Sequence, residues 1–151
     1  MRFQQHYRLY ACFLLFSIVT GAMMSRLPDI QRHLQVTEGQ LGLTLIGGAI
    51  GSLISLTFSS PLIARLGARN TLLITVLGSV TFYSAIPWIS WAPLAFALLF
   101  VAGLLSGALE IALNVENDRT EAQLGYSIMS RAHGFWSLGF FFTALAAAGI
   151  R

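Results

Sequence analysis

The chain has no lysine, a single cysteine and only 10% charged residues, and each shortage removes a class of protein. A soluble domain of ordinary composition carries about a quarter charged residues, so this chain is not built to face water on all sides. Its nine basic residues are all arginine and lie scattered along the sequence, which leaves no basic cluster for a nucleic acid. Cys12 stands alone, so one copy of the chain can build neither a disulfide nor a cysteine metal site. The phosphate loop G-x-x-x-x-G-K-[ST], the zinc motif H-E-x-x-H and the nucleophile elbow G-x-S-x-G are all missing. We therefore expect no enzyme chemistry, no metal and no cofactor.

What the chain has in quantity is apolar length: 56% of residues are hydrophobic and the mean hydropathy is +0.72. Residues 70–109 form a run of forty without one charge, interrupted only by Pro87-Trp88-Ile89-Ser90-Trp91-Ala92-Pro93. A hydrocarbon core of ~30 Å takes ~20 helical residues, so the run reads as two spans joined by a tight turn. Three further uncharged runs complete an all-α membrane protein with about five transmembrane helices, near 9–27, 40–64, 70–88, 93–115 and 133–150. The first run can also be read as a signal peptide, because Arg2 and Arg8 precede it and Thr20, Gly21 and Ala22 are small. Either reading puts Pro28 outside. Thr37 and Gln40 have the spacing of a capping box ahead of the second span, and Pro61 near its end predicts a kink or an early stop.

Arginine placement sets the orientation. With the N-terminus in the cytoplasm, inner segments hold Arg2, Arg8, Arg65, Arg69, Arg119 and Arg131, and outer positions hold Arg26, Arg32 and Arg151. Six against three favours that topology. The acidic cluster Glu116, Asp118 and Glu121 then falls in an inner loop, and Trp88 and Trp91 sit at the outer interface.

A charge at membrane depth costs at least ~2.5 kcal/mol at a helix centre, so those that occur need a partner or a task. Glu110 is the only acidic candidate, and Gly103, Gly107, Glu110 and Asn114 recur at helical spacing on one face of the fourth span. A face that is small and then polar suits close packing on a neighbouring helix or the wall of a wet cavity. A carboxyl group among apolar neighbours favours its protonated form, which suits proton exchange, and it can accept hydrogen bonds from a polar solute. The plainer reading places Glu110 ~26 Å down the helix from Pro93, where it reaches the inner interface. Gly47 and Gly51, with Gly48 and Ser52, give the second span a close-packing face. His133, Trp136 and Ser137 open the fifth segment, with His133 and Trp136 one turn apart; an interface role and a role in a polar pathway both fit them.

The stretch Pro61-Leu-Ile-Ala-Arg65-Leu-Gly67-Ala-Arg69 resembles the signature loop of the major facilitator superfamily of secondary transporters. Arg65, Gly67 and Arg69 match that pattern, while Ser60 and Ala64 stand at its glycine and aspartate positions and Asn70 at its last basic one. Two other stretches resemble the fucose-permease-like branch and its bacterial relatives: Arg26-Leu-Pro-Asp-Ile-Gln-Arg-His-Leu with Thr37-Glu-Gly-Gln-Leu-Gly42, and Gly107-Ala-Leu-Glu-Ile-Ala-Leu-Asn114 leading to Met129-Ser-Arg-Ala-His133-Gly-Phe-Trp-Ser-Leu-Gly139.

The resemblance implies the N-terminal part of a twelve-helix fold in the bacterial cytoplasmic membrane, moving a small solute, sugar-like by analogy with that branch, by alternating access. It implies proton coupling through Glu110, a polar pathway with Asn114, and an inner gating loop at Arg65, Gly67 and Arg69. Five spans are fewer than one half of such a transporter, so a truncated portion that needs the remaining helices as partners is expected. The rival reading is a small, non-transporting membrane protein that binds partner helices through Gly47, Gly51, Gly103 and Gly107.

Overall fold

The computed structural model describes residues 5–149. Arg2 of the topology count, and Ile150 and Arg151 at the end of the fifth apolar run, lie outside the described residues. Among the described residues six α-helices follow one another: α1 (Gln5–Ser25), α2 (Leu27–Leu34), α3 (Glu38–Leu66), α4 (Ala68–Ala85), α5 (Ala92–Leu124) and α6 (Met129–Gly149), with a 3-10 turn at Ile86–Trp88 before α5. Among the described residues there is no strand.

Local sequence accounts for most of the boundaries. Thr37 and Gln40 form the expected capping box, each side chain meeting the other's backbone N–H. Gly67, at φ 76°, is the whole connection between α3 and α4; a residue with a Cβ pays steric strain in that conformation. Gly125, at φ 75°, ends α5 in the same way, its N–H donating to the Glu121 carbonyl.

The structure differs from the sequence reading at three points. Of the two alternatives at Pro61, the early stop does not occur: α3 runs on to Leu66 with the proline at its exposed surface. A missing N–H costs one hydrogen bond, and a 29-residue helix keeps the rest of its ladder. The acidic cluster is helical rather than looped, because α5 continues through Glu116, Asp118 and Glu121 to Leu124. No glycine or proline occurs between Gly107 and Gly125, and Glu116 pairs with Arg119 one turn on. The segment after α1 contains a helix that the sequence pattern did not announce: α2 has Pro28 and Asp29 in its first turn, Arg32 and His33 in its last, and buries Ile30 and Leu34.

On α3 and α4 the buried face is mostly small and polar and the exposed face apolar. On α3 the buried stripe is Thr44, Gly47, Gly51, Ser55, Ser59 and Ile63; on α4 it is Thr71, Thr75 and Ser79, each at most 2% exposed. The opposite faces expose Leu43 and Leu53 at 65%, Phe58 at 69% and Leu77 at 66%. In water each such side chain forgoes about 1.5–3 kcal/mol of burial, so this pattern is stable only where the surroundings are themselves apolar. Several buried hydroxyls are satisfied by nearby carbonyls, Thr71 and Thr75 by those of Gly67 and Thr71 and Ser59 by that of Ser55, whereas Ser79 Oγ is enclosed without a partner. α1, α3, α4 with its 3-10 turn, and α5 are each long and apolar enough to cross a bilayer. α6 has 21 residues, the length of a span, and carries Arg131, His133 and Ser137 in its first turns.

The chain divides into two compact units. One comprises the described parts of Met1–Ser25 and Ala112–Arg151, and the other Arg26–Ile111. In the second unit Gly47 faces Phe96, Gly51 faces Phe100 and Leu104, and Gly107 faces Ser52 and Ser55. Residue numbers rise together, so α3 and this part of α5 run in the same direction, as two crossings separated by one return must. In the first unit Tyr10 stacks on Phe135, Gly139 faces Leu14 and Ser17, and Gly21 faces Phe140 and Thr143, so α1 and α6 also run parallel.

Candidate functional site

The residues singled out from the sequence fall into four places. The glycines of the second unit form a backbone contact. A Cβ on Gly103 would lie against the Gly48 carbonyl, 2.9 Å from its carbon, and one on Gly47 would stand 2.6 Å from the Phe96 oxygen. A Cβ on Gly51 would meet the Phe100 oxygen and the Leu104 nitrogen, and one on Gly107 would be 2.8 Å from the Ser52 oxygen. Lipid gives helices no hydrophobic reason to associate, so contacts of this closeness supply dispersion energy that larger residues would prevent.

Glu110 stands on α5 below this contact, in the second unit, and its side chain is exposed. The polar part of the expected stripe is thus not packed as the glycine part is. Asn114 belongs to the first unit; it is half-buried, and its Oδ1 is enclosed without a hydrogen-bond partner. On α6, His133 is exposed, with its ring 5.2 Å from that of Phe13, whereas Trp136 stacks on Phe140 at 5.5 Å. The two share a helix but have different ring partners.

The loop residues stand at the α3–α4 connection. Arg65 and Arg69 are exposed on either side of Gly67, whose carbonyl accepts from the N–H and the hydroxyl of Thr71. Asn70, at the position of the family's last basic residue, donates instead to the Leu66 carbonyl at 3.1 Å. Its side chain closes the turn.

Two polar features left no clear mark in the sequence. Ser106 on α5 hydrogen-bonds Tyr83 on α4 at 3.2 Å, a link within the second unit between two residues unremarkable in spans. In the first unit, beyond the apolar run that ends near residue 115, Glu121 Oε1 accepts from the Met129 and Ile128 N–H groups, both at 2.6 Å, and from the Ser127 hydroxyl at 2.8 Å. These bonds, the Met129 N–H first, hold its carboxyl below the ordinary glutamate range. The available signal was Gly125 as a helix stop with an acid one turn before it. A cavity of about 360 Å³ in the second unit, lined by Val36, Gln40, Leu43, Thr44, Ala92, Pro93 and Phe96, includes none of the expected pathway residues.

The chain is 30% identical over 139 residues, 92% of its length, to an uncharacterized transporter of Sinorhizobium fredii. It is 28% identical over 131 residues, 84% of its length, to an uncharacterized MFS-type transporter of Yersinia pestis. The matches cover 36% and 33% of those proteins, so the chain spans about a third of the length of the curated relatives it matches. No family model and no solved structure matches it. Four helices long and apolar enough to cross a bilayer make the chain a multi-pass, all-α membrane protein, and it is similar to proteins named as transporters.

Proposed function

We propose that this chain forms the N-terminal part of a major-facilitator transporter of the fucose-permease-like branch, which moves a small, sugar-like solute by proton-coupled alternating access. The observation that carries the reading is the similarity to two proteins named as transporters over 92% and 84% of the chain. The close glycine contact between α3 and α5 supports it, since helices that must rock together need a stiff seam.

In this reading Glu110 exchanges the proton. Its exposure on α5 is what a residue facing a pathway requires, and the glycines one and two turns above it anchor the helix that carries it. Asn114, with an enclosed and unpaired carbonyl oxygen, contributes an acceptor to the polar path. His133 and Trp136 flank the path on α6, and Arg65, Gly67 and Arg69 form the inner gate. The N-terminus is cytoplasmic, in the inner membrane, and the remaining helices of the transporter complete the cavity.

The test is a chimera in which residues 5–149 replace the matched third of the Sinorhizobium fredii relative, reconstituted in liposomes and screened with a panel of sugars for solute-driven proton movement. Proton movement that Glu110→Gln abolishes, with the chimera still inserted, is the expected result. Undiminished movement in the variant removes Glu110 from its role. Silence towards every sugar, with the relative itself active in the same assay, removes the solute class.

A further inference from the structure

Glu121 and Asn117 lie one helical turn apart at the inner end of α5, and both reach the same short stretch of chain, Ser127, Ile128 and Met129. The first N–H groups of any helix have no acceptor within it. Here the Glu121 carboxylate takes the Ile128 and Met129 N–H groups together with the Ser127 hydroxyl, all on one oxygen. Negative charge at that position also suits the dipole of the 21-residue α6. Asn117, 0% exposed, donates its Nδ2 to the Met129 sulfur at 2.9 Å, so the same residue is held by backbone and by side chain. Ile128, also 0% exposed, is the residue whose carbonyl starts the α6 ladder by accepting from Ala132. Gly125 supplies the reversal that brings the stretch back to α5.

The geometry points to a clasp: Glu121 and Asn117 grip the first turn of α6, so that the inner end of α5 and the start of α6 move as one body. Glu121 is the stronger half, since its bonds are charge-assisted and come from three donors. Asn117 is the weaker half, because thioether sulfur is a poor acceptor and its own Oδ1 is enclosed without a partner. The role is one of positioning. His133 follows Met129 by one turn on α6, so the clasp sets where that histidine stands. All of these contacts lie within one unit, and the clasp holds whatever solute the protein moves.

Hydrogen–deuterium exchange of the full 151-residue chain in lipid nanodiscs tests it. The Ile128 and Met129 amides find no acceptor within α6 itself, and Glu121 is the acceptor they have. Glu121→Ala should speed their exchange by about tenfold or more, with exchange across α1 and residues 139–149 unchanged. Ser127→Ala, which removes one donor and leaves the backbone pair intact, should give a smaller increase at the same amides, as should Asn117→Ala; Asp118→Ala should give none. Spin labels at Asp118 and Ser130 should report one narrow distance that broadens in Glu121→Ala. Should Glu121→Ala fail to insert, Ser127→Ala and Asn117→Ala carry the test alone. Unchanged exchange at Ile128 and Met129 in the variants overturns the clasp, and so does a loss of protection spread evenly over α1 and α6.

Discussion

Replacing Gly103 by alanine should separate α3 from α5. The new Cβ would run into the Gly48 carbonyl oxygen and sit 2.9 Å from its carbon, where ordinary contact begins near 3.4 Å, so the helices must part by about an ångström or tilt around the clash. The obstacle is backbone, which has no rotamer to turn away. Overpacking of this kind costs about 1–3 kcal/mol, and alanine returns up to about 1 kcal/mol as the better helix former, so the net loss should be of order 1–2 kcal/mol. Gly51→Ala meets the Phe100 carbonyl from the other side of the same seam and should lose a similar amount. Since both changes demand the same separation, the double variant should lose less than the sum. Gly42 belongs to the same helix α3, and a methyl group added there would have nothing within 4 Å, so Gly42→Ala controls for propensity and should be neutral or slightly stabilising. Thermal loss of helical signal in nanodiscs, read as the shift in midpoint, is the assay. If Gly103→Ala and Gly51→Ala melt with Gly42→Ala, the seam is not what holds these helices, and the packing argument is wrong.

Other consequences can be checked in the same preparation. Since the Met129 N–H, then the Ser127 hydroxyl and the Ile128 N–H, depress the Glu121 carboxyl, its contribution to stability is fully present above the pKa of an unfolded glutamate and is lost as pH falls through the lower folded value. Glu121→Gln should flatten that acid-side loss in a pH series of thermal midpoints; an identical pH profile would refute the assignment. Trp88 and Trp91, 84% and 65% exposed at the turn before α5, should be quenched by lipids brominated near the headgroup more than by lipids brominated near the chain end, in a Trp136→Phe background. The opposite order would place the turn at the wrong depth. With the N-terminus inside, cysteines introduced at Ala68 and at Glu121 should react with an impermeant maleimide from the same side of sealed vesicles. Labelling from opposite sides would break the topology.

How much is legible in the sequence varies by element. The Thr37–Gln40 cap is legible because both partners lie within one turn, and the turn from Pro87 to Pro93 because proline and tryptophan mark it locally. The extension of α5 past Asn114 is hidden because polar residues signal a membrane boundary and a helix end alike, and hydropathy reports only the first. α2 is hidden because eight residues are too few to register against the length of a span. For the candidate site, spacing groups Gly103, Gly107, Glu110 and Asn114 on one helix but cannot say which of them meets a neighbour.

By itself, the sequence determined that this chain lives in lipid, since forty consecutive uncharged residues have no other stable surroundings and the relation of apolar length to bilayer thickness is one-dimensional. It also marked the cap at Thr37 and the turn between Pro87 and Pro93, because such signals act over a few residues. Tertiary structure alone decided that Gly47, Gly51, Gly103 and Gly107 close one seam while Glu110, on the same helix as the last two, remains exposed, and that Glu121 serves α6 rather than a loop. Those outcomes depend on which backbone comes within about 3 Å of which side chain, a distance set by two helices packing together and written in neither of them alone.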